Sequence, residues 1–352
     1  MNIYLSVLFL LILLSSFEYF SKNKKYFVMA IFFLVVFAGM RQDVGYDYNS
    51  YHNFYNDINS FSDVFNGKID AEPGYVFFNF LFKYLGFPFS TFVLFFSIVS
   101  LLLLGICLYN VFPFPSLVLV YYYCRFFLVR DMGQIRSSLV SIIFLMTLPA
   151  IKNRDTKKVL LLTLIGAFFH TVAIFIPIAY LFTIVVKKIG IPVVLVYVCI
   201  ATLIGTIFFF PELFSWIVPA RYLGYFAGKY STGKWLLNPI FIMQLGILLL
   251  SLIVVKNKNV SFSSDLAIVQ KVYLLSTLLL LVFGPLATIG GRVSTIFAST
   301  EILLVPILFD HFFKNKIFSL IAYFAFCLCV FYLIFVFSGA VNLYVPYKTT
   351  LF

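Results

Sequence analysis

The sequence predicts an all-α polytopic integral membrane protein with about 11–12 transmembrane helices. Hydrophobic residues make up 63% of the 352 positions and charged residues only 11%, too few for the polar shell of a soluble domain. Apolar runs of about 17–25 residues recur along the chain, each long enough to cross the hydrocarbon core. These runs are continuously apolar rather than alternating, which favours helices over a β-barrel.

The apolar runs define the predicted spans in order, and the whole chain, 1–352, is expected to form one transmembrane domain. The spans lie at 3–20, 26–40, 88–111, 114–129, 133–151, 159–186, 190–210, 239–255, 266–284, 286–309 and 317–338. Short clusters of basic residues separate many of them. By the positive-inside rule, these clusters predict five cytoplasmic segments, marked by Lys22/Lys24/Lys25, Lys152/Arg154/Lys157/Lys158, Lys187/Lys188, Lys256/Lys258 and Lys314/Lys316.

The stretch 159–186 is predicted to be a broken helical hairpin rather than a single span. It separates two basic clusters that both belong on the cytoplasmic side, so a single crossing would place one of them outside. Gly166, His170 and Pro177 interrupt it. Two short helices with His170 near their outer tip restore a consistent topology of twelve membrane segments, with both termini outside.

Two polar segments are predicted to lie outside the membrane. The first, 41–87, begins with a loop rich in Asp, Asn and Tyr and ends with an interfacial helix over 72–86, anchored by Tyr75, Phe77, Phe78, Phe82 and Tyr84. The second outer loop covers 211–238 and carries Arg221 and Tyr222. The formal charge of +12 is dispersed between apolar runs, which excludes a nucleic-acid-binding face.

The arginines are distributed differently from the lysines. Only Arg154 of the seven is predicted to be cytoplasmic, and the other six lie at the outer face or in the outer half of the membrane: Arg41, Arg125, Arg130, Arg136, Arg221 and Arg292. A charge inside a membrane is costly and functional by default. Guanidinium groups bind phosphate oxygens in a bidentate fork, so the pattern predicts an anionic, phosphate-bearing ligand.

Three of these arginines, in YYYCRFFLVRDMGQIRSS, are expected to meet around one outer turn. The alternative is that Arg130 pairs with Asp131 while Arg125 and Arg136 reach the lipid headgroups. Arg292 follows two glycines at the predicted start of a helix, where an anion site or an interfacial contact would each fit.

The candidate proton-transfer groups are Asp47, Glu72 and His170. A carboxylate outside the membrane or a histidine at a helix break could take a proton from an attacking hydroxyl. The alternatives are a solvated loop for the acids and a buried core position for His170. No metal-ligand spacing and no phosphate-binding glycine loop occur, so neither a metal nor another cofactor is expected.

Several short motifs resemble those of the EpsG family and Wzy-type polysaccharide polymerases. RQDVGYDYNSY supplies Arg41, Gly45, Asp47 and Tyr51, and EPG at 72–74 follows it. The stretches QIRSSLV and AFFHTVAIFIPI and the late Arg292 follow in the same order. Val293 and Ser294 stand where the family often has a further aromatic partner.

The resemblance implies a GT-C-like polymerase architecture in a bacterial cytoplasmic (inner) membrane, with the active site facing the periplasm or exterior. Such proteins join oligosaccharide repeat units carried on undecaprenyl pyrophosphate into O antigen or exopolysaccharide. Arg125, Arg136 and Arg292 would hold the pyrophosphate, with Arg41, Tyr51, Arg130, Arg221 and Tyr222 as further substrate contacts. Membrane lipids, a chain-length regulator and a flippase are the expected partners. The alternatives are a flippase or other transporter, or another outer-face lipid-linked glycosyltransferase or ligase.

Overall fold

The computed structural model describes residues 2–207, 235–256 and 263–349, and these residues form α-helices joined by short turns. The helices are α1 Asn2–Ser21, α2 Lys25–Gly39, α3 Tyr48–Asp57, α4 Pro73–Tyr84, α5 Phe89–Tyr109, α6 Pro115–Tyr122, α7 Ile135–Lys152, α8 Thr156–Phe169, α9 Ile176–Val185, α10 Ile191–Ile207, α11 Pro239–Lys256, α12 Ser263–Val282, α13 Ala287–Ala298, α14 Glu301–Phe312 and α15 Lys316–Phe331. Over those ranges the only β pairing is an isolated bridge between Arg41 and Thr349.

The predicted all-α polytopic class is confirmed. Four helices in the described part of the chain are long and apolar enough to cross a membrane, namely Ile3–Ser21, Phe89–Tyr109, Ile135–Lys152 and Lys316–Phe337. A bent pair, Gly290–Ala298 with Glu301–Phe312, forms a fifth if it is one span, and five further apolar helices are shorter. The total of twelve segments and the GT-C-like architecture stay predictions.

The predicted span 286–309 is interrupted in the structure and consists of two helices. α13 ends at Ala298, α14 begins at Glu301, and the two are bent by 52°. Ser299 Oγ donates to the carbonyl of Ile296 at 2.6 Å, and Thr300 Oγ1 donates to that of Phe297 at 2.7 Å. These side-chain bonds satisfy the last carbonyls of α13 and let the helix stop inside an apolar stretch.

The predicted hairpin is confirmed. α8 ends at Phe169, His170 is not helical, and a 3₁₀ turn over Thr171–Phe175 leads into α9. Thr156 Oγ1 lies 2.8 Å from the Tyr180 hydroxyl, so the chain reverses between these residues. The arms of 14 and 10 residues are about 21 and 15 Å long at 1.5 Å per residue, shorter than a bilayer core of about 30 Å. Neither arm is therefore long enough to span a bilayer alone.

The first outer segment contains more structure than its sequence predicted. α3 and a 3₁₀ turn over Phe61–Val64 lie inside the predicted loop. A small apolar core joins this loop to α4 and is formed by Ile58, Val64, Ile69 and Val76. The predicted interfacial helix is present as α4, but its predicted anchor Tyr75 is fully buried. The loop is thus folded onto α4.

Two compact units share the chain. The first consists of Met1–Met146, Leu164–Ala173 and Phe309–Phe352, and the second of Thr147–Thr163 and Ile174–Leu308. In the first unit α2 packs against α5 and α1 against α6. Glu18 of α1 accepts a 2.8 Å hydrogen bond from the backbone N–H of Ser116, which satisfies one orphan donor at the start of α6.

The second unit is built around α12, which packs against α9, α10, α11 and α13. Trp235 lies between two glycines of this unit. A Cβ on Gly205 would lie 3.0 Å from the Trp235 ring, and so would a Cβ on Gly284. Glycine at both positions lets the indole pack directly against the two backbones.

Candidate functional site

Glu72 occupies the residue before the first turn of α4. Its backbone is extended (φ −71°, ψ 148°), and Pro73 follows as the first helical residue, where its fixed φ suits a helix start. The Glu72 carboxylate does not cap its own helix. It is therefore directed to other elements of the first unit.

The Glu72 carboxylate contacts the tip of the α8–α9 hairpin. Its Oε1 lies 2.8 Å from His170 Nδ1 and accepts a 2.8 Å hydrogen bond from the Thr171 N–H. The Thr171 hydroxyl adds a 3.3 Å contact to the same oxygen. An ionised carboxylate can only accept, so the proton of this contact belongs to His170 Nδ1. A neutral His170 then carries its free lone pair on Nε2.

Arg136, in the first turn of α7, binds the second oxygen of the Glu72 carboxylate. Its terminal nitrogen lies 2.5 Å from Glu72 Oε2. The exposed fractions of the three side chains are 10% for Glu72, 14% for His170 and 15% for Arg136. The cluster is therefore largely shielded yet reachable, as a reaction site requires.

The electrostatics of the cluster keep Glu72 ionised. Burial by itself raises the pKa of Glu72, but the hydrogen bond from His170 and the positive charge of Arg136 outweigh it and lower that pKa to about 2. A carboxylate with so low a pKa is a weak base at neutral pH. Glu72 is thus suited to orient His170, not to remove a substrate proton itself.

Three aromatic rings surround the guanidinium of Arg136. Its Cζ lies 5.6 Å from the ring centre of Tyr51, 5.7 Å from that of Phe54 and 5.3 Å from that of Tyr75. Rings at this distance attract a cation through their quadrupole. Burial raises the pKa of Tyr51 to about 12, so this phenol stays neutral beside the cation. The rings fix the guanidinium of Arg136 against Glu72.

The motif over residues 41–51 docks on the turn that precedes α7. Gly45 has φ +114°, and a Cβ there would lie 2.1 Å from the Met132 carbonyl oxygen, so only glycine fits. The Asp47 N–H donates to the Gly133 carbonyl at 3.4 Å. One helical turn later, Tyr51 reaches Arg136. The spacing of the motif thus follows from two contacts: Gly45 and Asp47 pack on the turn before α7, and Tyr51 lies against Arg136.

Arg41 is fully buried at the start of this motif. It is 1% exposed, donates to the Ala38 carbonyl and lies 5.9 Å from the Tyr48 ring centre. The C-terminal segment 343–349 runs beside it, since Gln42 N–H donates to the Lys348 carbonyl at 3.0 Å. In this conformation Arg41 anchors the loop rather than facing a ligand.

The other arginines have separate surroundings. Arg130 donates to Gln134 Oε1 at 2.5 Å and to Ser137 Oγ at 2.9 Å, while Arg125 lies 4.9 Å from the Phe126 ring centre. Both belong to the first unit. Arg292 belongs to the second unit, on α13. Arg221 and Tyr222 lie outside the described residues.

Sequence reasoning missed three members of the site. Thr171 follows His170 directly and holds Glu72 through its backbone and hydroxyl. Tyr75 and Phe54 could not be distinguished from the many other aromatic residues of the sequence. The only signal was spacing: Tyr75 follows Glu72, and Phe54 follows Tyr51, by about one helical turn, which places each pair on one helix face. The described residues contain no group of three or more His, Cys, Asp and Glu side chains that could hold a metal ion.

The fold and this cluster define a multi-pass membrane protein with a half-buried carboxylate–histidine–arginine centre. The sequence model of the EpsG family matches residues 24–349, nearly the whole chain, and the chain belongs to that family. Family membership places it in polysaccharide biosynthesis, in a polymerase-like, glycosyltransferase-like role. No curated protein and no solved structure matches the chain at a significant level.

Proposed function

We propose that this protein joins oligosaccharide repeat units carried on undecaprenyl pyrophosphate, at the outer face of the bacterial cytoplasmic membrane. The observation that carries the proposal is the Glu72–His170 pair, with His170 Nδ1 2.8 Å from the carboxylate and Arg136 on its other side. This arrangement suits the transfer of a sugar to a hydroxyl, because such a transfer needs a base and a means to stabilise a departing anion.

His170 acts as the general base in this mechanism. Nε2 accepts the proton of the attacking sugar hydroxyl, whose oxygen bonds to the anomeric carbon of the donor repeat unit. The bond from that carbon to the pyrophosphate oxygen breaks, and lipid pyrophosphate leaves with the electron pair. The proton held by His170 then passes to solvent or to the leaving group, so the cycle consumes no nucleotide and no cofactor.

Glu72 supports this step through His170. Because the pKa of Glu72 is about 2, the carboxylate stays charged and stabilises the imidazolium that forms when Nε2 takes the proton. The same hydrogen bond keeps the proton on Nδ1 and presents Nε2 as the acceptor. Among Asp47, Glu72 and His170, the geometry therefore favours His170 as the base.

The arginines are assigned to the pyrophosphate. A guanidinium has five N–H donors and remains charged, and Glu72 uses only part of the capacity of Arg136. Arg125 is assigned to the same anion, with Tyr51, Arg130, Arg221 and Tyr222 as substrate contacts, on their chemistry and their predicted outer position. Arg292 is kept as an anion-binding residue on its chemistry alone. Arg41 acts as an anchor of the loop, and Asp47 precedes α3, where its backbone carbonyl accepts from the Tyr51 N–H at 3.0 Å.

The outer-face orientation follows from the predicted cytoplasmic position of the lysine clusters. This topology places the site residues in the first outer segment or towards the outer side of the membrane. A flippase that delivers lipid-linked units and a regulator of chain length are the partners that such a reaction would need.

Elongation by purified protein tests the proposal. The protein is reconstituted in lipid nanodiscs with pyrophosphate-linked repeat units and no nucleotide. We expect a ladder of products separated by one repeat unit, together with release of undecaprenyl pyrophosphate. A reconstituted, folded protein that elongates only when a sugar nucleotide is added would overturn the proposed donor.

A further inference from the structure

An apolar groove lies beside the polar cluster in the first unit. Its cavity volume is about 290 Å³, and its lining is formed by the loop before α4, the first turns of α4 and the end of α8: Val64, Phe65, Pro73, Gly74, Phe77, Phe78, Ile165, Phe168 and Phe169. No polar side chain contributes to it. An occupant of this groove would be a hydrocarbon.

The groove begins where the polar cluster ends. Pro73 follows Glu72 on α4, and Phe169 precedes His170 on α8. A Cβ at Gly74 would lie 2.6 Å from the Phe168 carbonyl oxygen, so glycine there lets α4 approach α8 closely. The same close approach holds Glu72 against His170 and brings the two walls of the groove together. The polar and apolar parts thus form one amphipathic site.

Large aromatic side chains stand exposed around the groove. The exposed fraction is 70% for Phe65, 57% for Phe168 and 38% for Phe77. Phe65 stands between Val64, which also lines the groove, and the polar Asn66. Contiguous exposed apolar surface of this kind needs an apolar cover, which a hydrocarbon chain would supply.

We propose that this groove binds the isoprenoid segment next to the pyrophosphate of the lipid-linked substrate. The inference rests on the proposed function, because it needs a substrate with a polar head at Glu72, His170 and Arg136 and an apolar tail joined to it. At about 290 Å³ the groove is at the lower end of the range for ligand pockets, roughly 300–1,000 Å³. It therefore takes only the start of a long chain, and the remainder extends into the bilayer.

The competing occupant is an acyl chain of the surrounding lipid. Such a chain would cover the same rings without any link to the polar cluster. Binding of the substrate tail is saturable, and unlabelled polyprenyl phosphate competes with it. Contact with bulk lipid neither saturates nor responds to that competitor.

Photocrosslinking distinguishes the substrate tail from an acyl chain of bulk lipid. The wild-type protein in nanodiscs receives either a polyprenyl phosphate with a diazirine in its first isoprene units or a phosphatidylglycerol with a diazirine in its acyl chain. We expect the polyprenyl probe to label peptides containing Phe65, Phe77 or Phe168, and unlabelled polyprenyl phosphate to remove that label. The proposal is overturned if the polyprenyl probe labels other segments, or if both probes label the groove equally without competition.

The crosslink is independent of turnover, so the two proposals fail separately. Elongation without labelling of the groove would refute the lipid site and leave the proposed polymerase intact. Labelling without elongation would refute the polymerase and support the lipid site.

A kinetic variant adds a second readout. Phe77→Ser removes a half-exposed ring from the groove, and Phe32→Ser on α2 removes a ring that is 63% exposed elsewhere in the first unit. With a long-chain substrate, Phe77→Ser is expected to raise KM about tenfold with kcat nearly unchanged, and Phe32→Ser to leave both unchanged. With a substrate whose pyrophosphate carries a methyl group in place of the isoprenoid, Phe77→Ser should match wild type. An equal rise in KM for the substrates with and without the isoprenoid would contradict the assignment.

Discussion

His170 Nδ1 lies 2.8 Å from Glu72 Oε1, although 98 residues separate them in the chain. The contact joins the tip of a helical hairpin to the start of α4. Because the carboxylate fixes the proton on Nδ1, the opposite nitrogen of His170 is the one prepared to accept a proton. Proton transfer to His170 depends on this pairing.

Removal of the His170 ring should remove the base. His170→Ala is expected to lower the elongation rate by about 10²–10⁴-fold, the usual contribution of a positioned acid–base group. The matched control is His52→Ala, since His52 is exposed on α3, where its ring contacts Asn56 and Phe89. Elongation is measured on reconstituted protein, with folding checked by its melting temperature. Equal rates for the two variants would exclude His170 as the base.

Lysine should not replace Arg136, because it supplies the positive charge without the planar guanidinium. Arg136→Lys keeps the positive charge but loses the flat guanidinium that lies among Tyr51, Phe54 and Tyr75. We expect both Arg136→Lys and Arg136→Ala to lower elongation about 100-fold or more. Lys68→Ala, which removes an exposed cation 3.9 Å from Asp63, is the control and should elongate normally. Wild-type polymer length in an Arg136→Ala strain that contains the protein would rule out the assigned role.

The stability of the protein should depend on pH through Glu72. Its pKa is lowered from 4.5 to about 2 in the folded state, so the ionised form stabilises the fold. This contribution is complete above the unfolded-state pKa and is lost as the pH falls towards 2. Between about pH 5 and 3, the melting temperature of wild type should therefore fall more steeply than that of Glu72→Gln. Asp70→Asn, at an exposed position two residues away, should follow wild type. Parallel curves for wild type and Glu72→Gln would contradict the lowered pKa.

Gly74 should resist substitution for steric reasons. A Cβ at this position would lie 2.6 Å from the Phe168 carbonyl oxygen and 3.0 Å from its Cβ, so Gly74→Ala must move α4 away from α8. We expect a lower melting temperature and reduced elongation, because the shift separates Glu72 from His170. Gly246→Ala is the control, since a Cβ there meets nothing within 4 Å and alanine favours a helix. A Gly74→Ala protein with wild-type activity would show that the contact between these helices is not required.

The sequence predicted the fold class and the break at His170 because both follow from strong, local signals. Apolar run length sets the spans, and the two basic clusters around 159–186 required a reversal of the chain. The bend at Ser299 and Thr300 was not predictable in this way, since it depends on hydroxyls that bond back to their own helix inside an apolar run. The helix inside the first loop was missed because its buried face consists of Tyr48, Tyr51 and Tyr55. These tyrosines pack against rings on α4 and α5, a pairing that the local sequence does not show.

The site was predicted as a set of residues but not as a geometry. Glu72, His170 and Arg136 were each candidates, yet nothing in their spacing indicated that the carboxylate lies between the other two. For Arg41 the sequence-based interpretation differs from the structure: its charge suggested contact with a ligand, whereas the side chain is buried beside the C-terminal segment. Pairing between distant segments decides such roles, and single-residue chemistry does not reveal it.

The most direct test of the central claim is a gel of surface polysaccharide from a strain that lacks this gene. We expect single repeat units on the acceptor and loss of the long ladder, because export and ligation continue while polymerisation stops. A plasmid carrying the wild-type gene should restore the ladder, and one carrying His170→Ala should not. Complete loss of surface sugar, with lipid-linked units trapped inside the cell, would contradict the account and indicate a flippase.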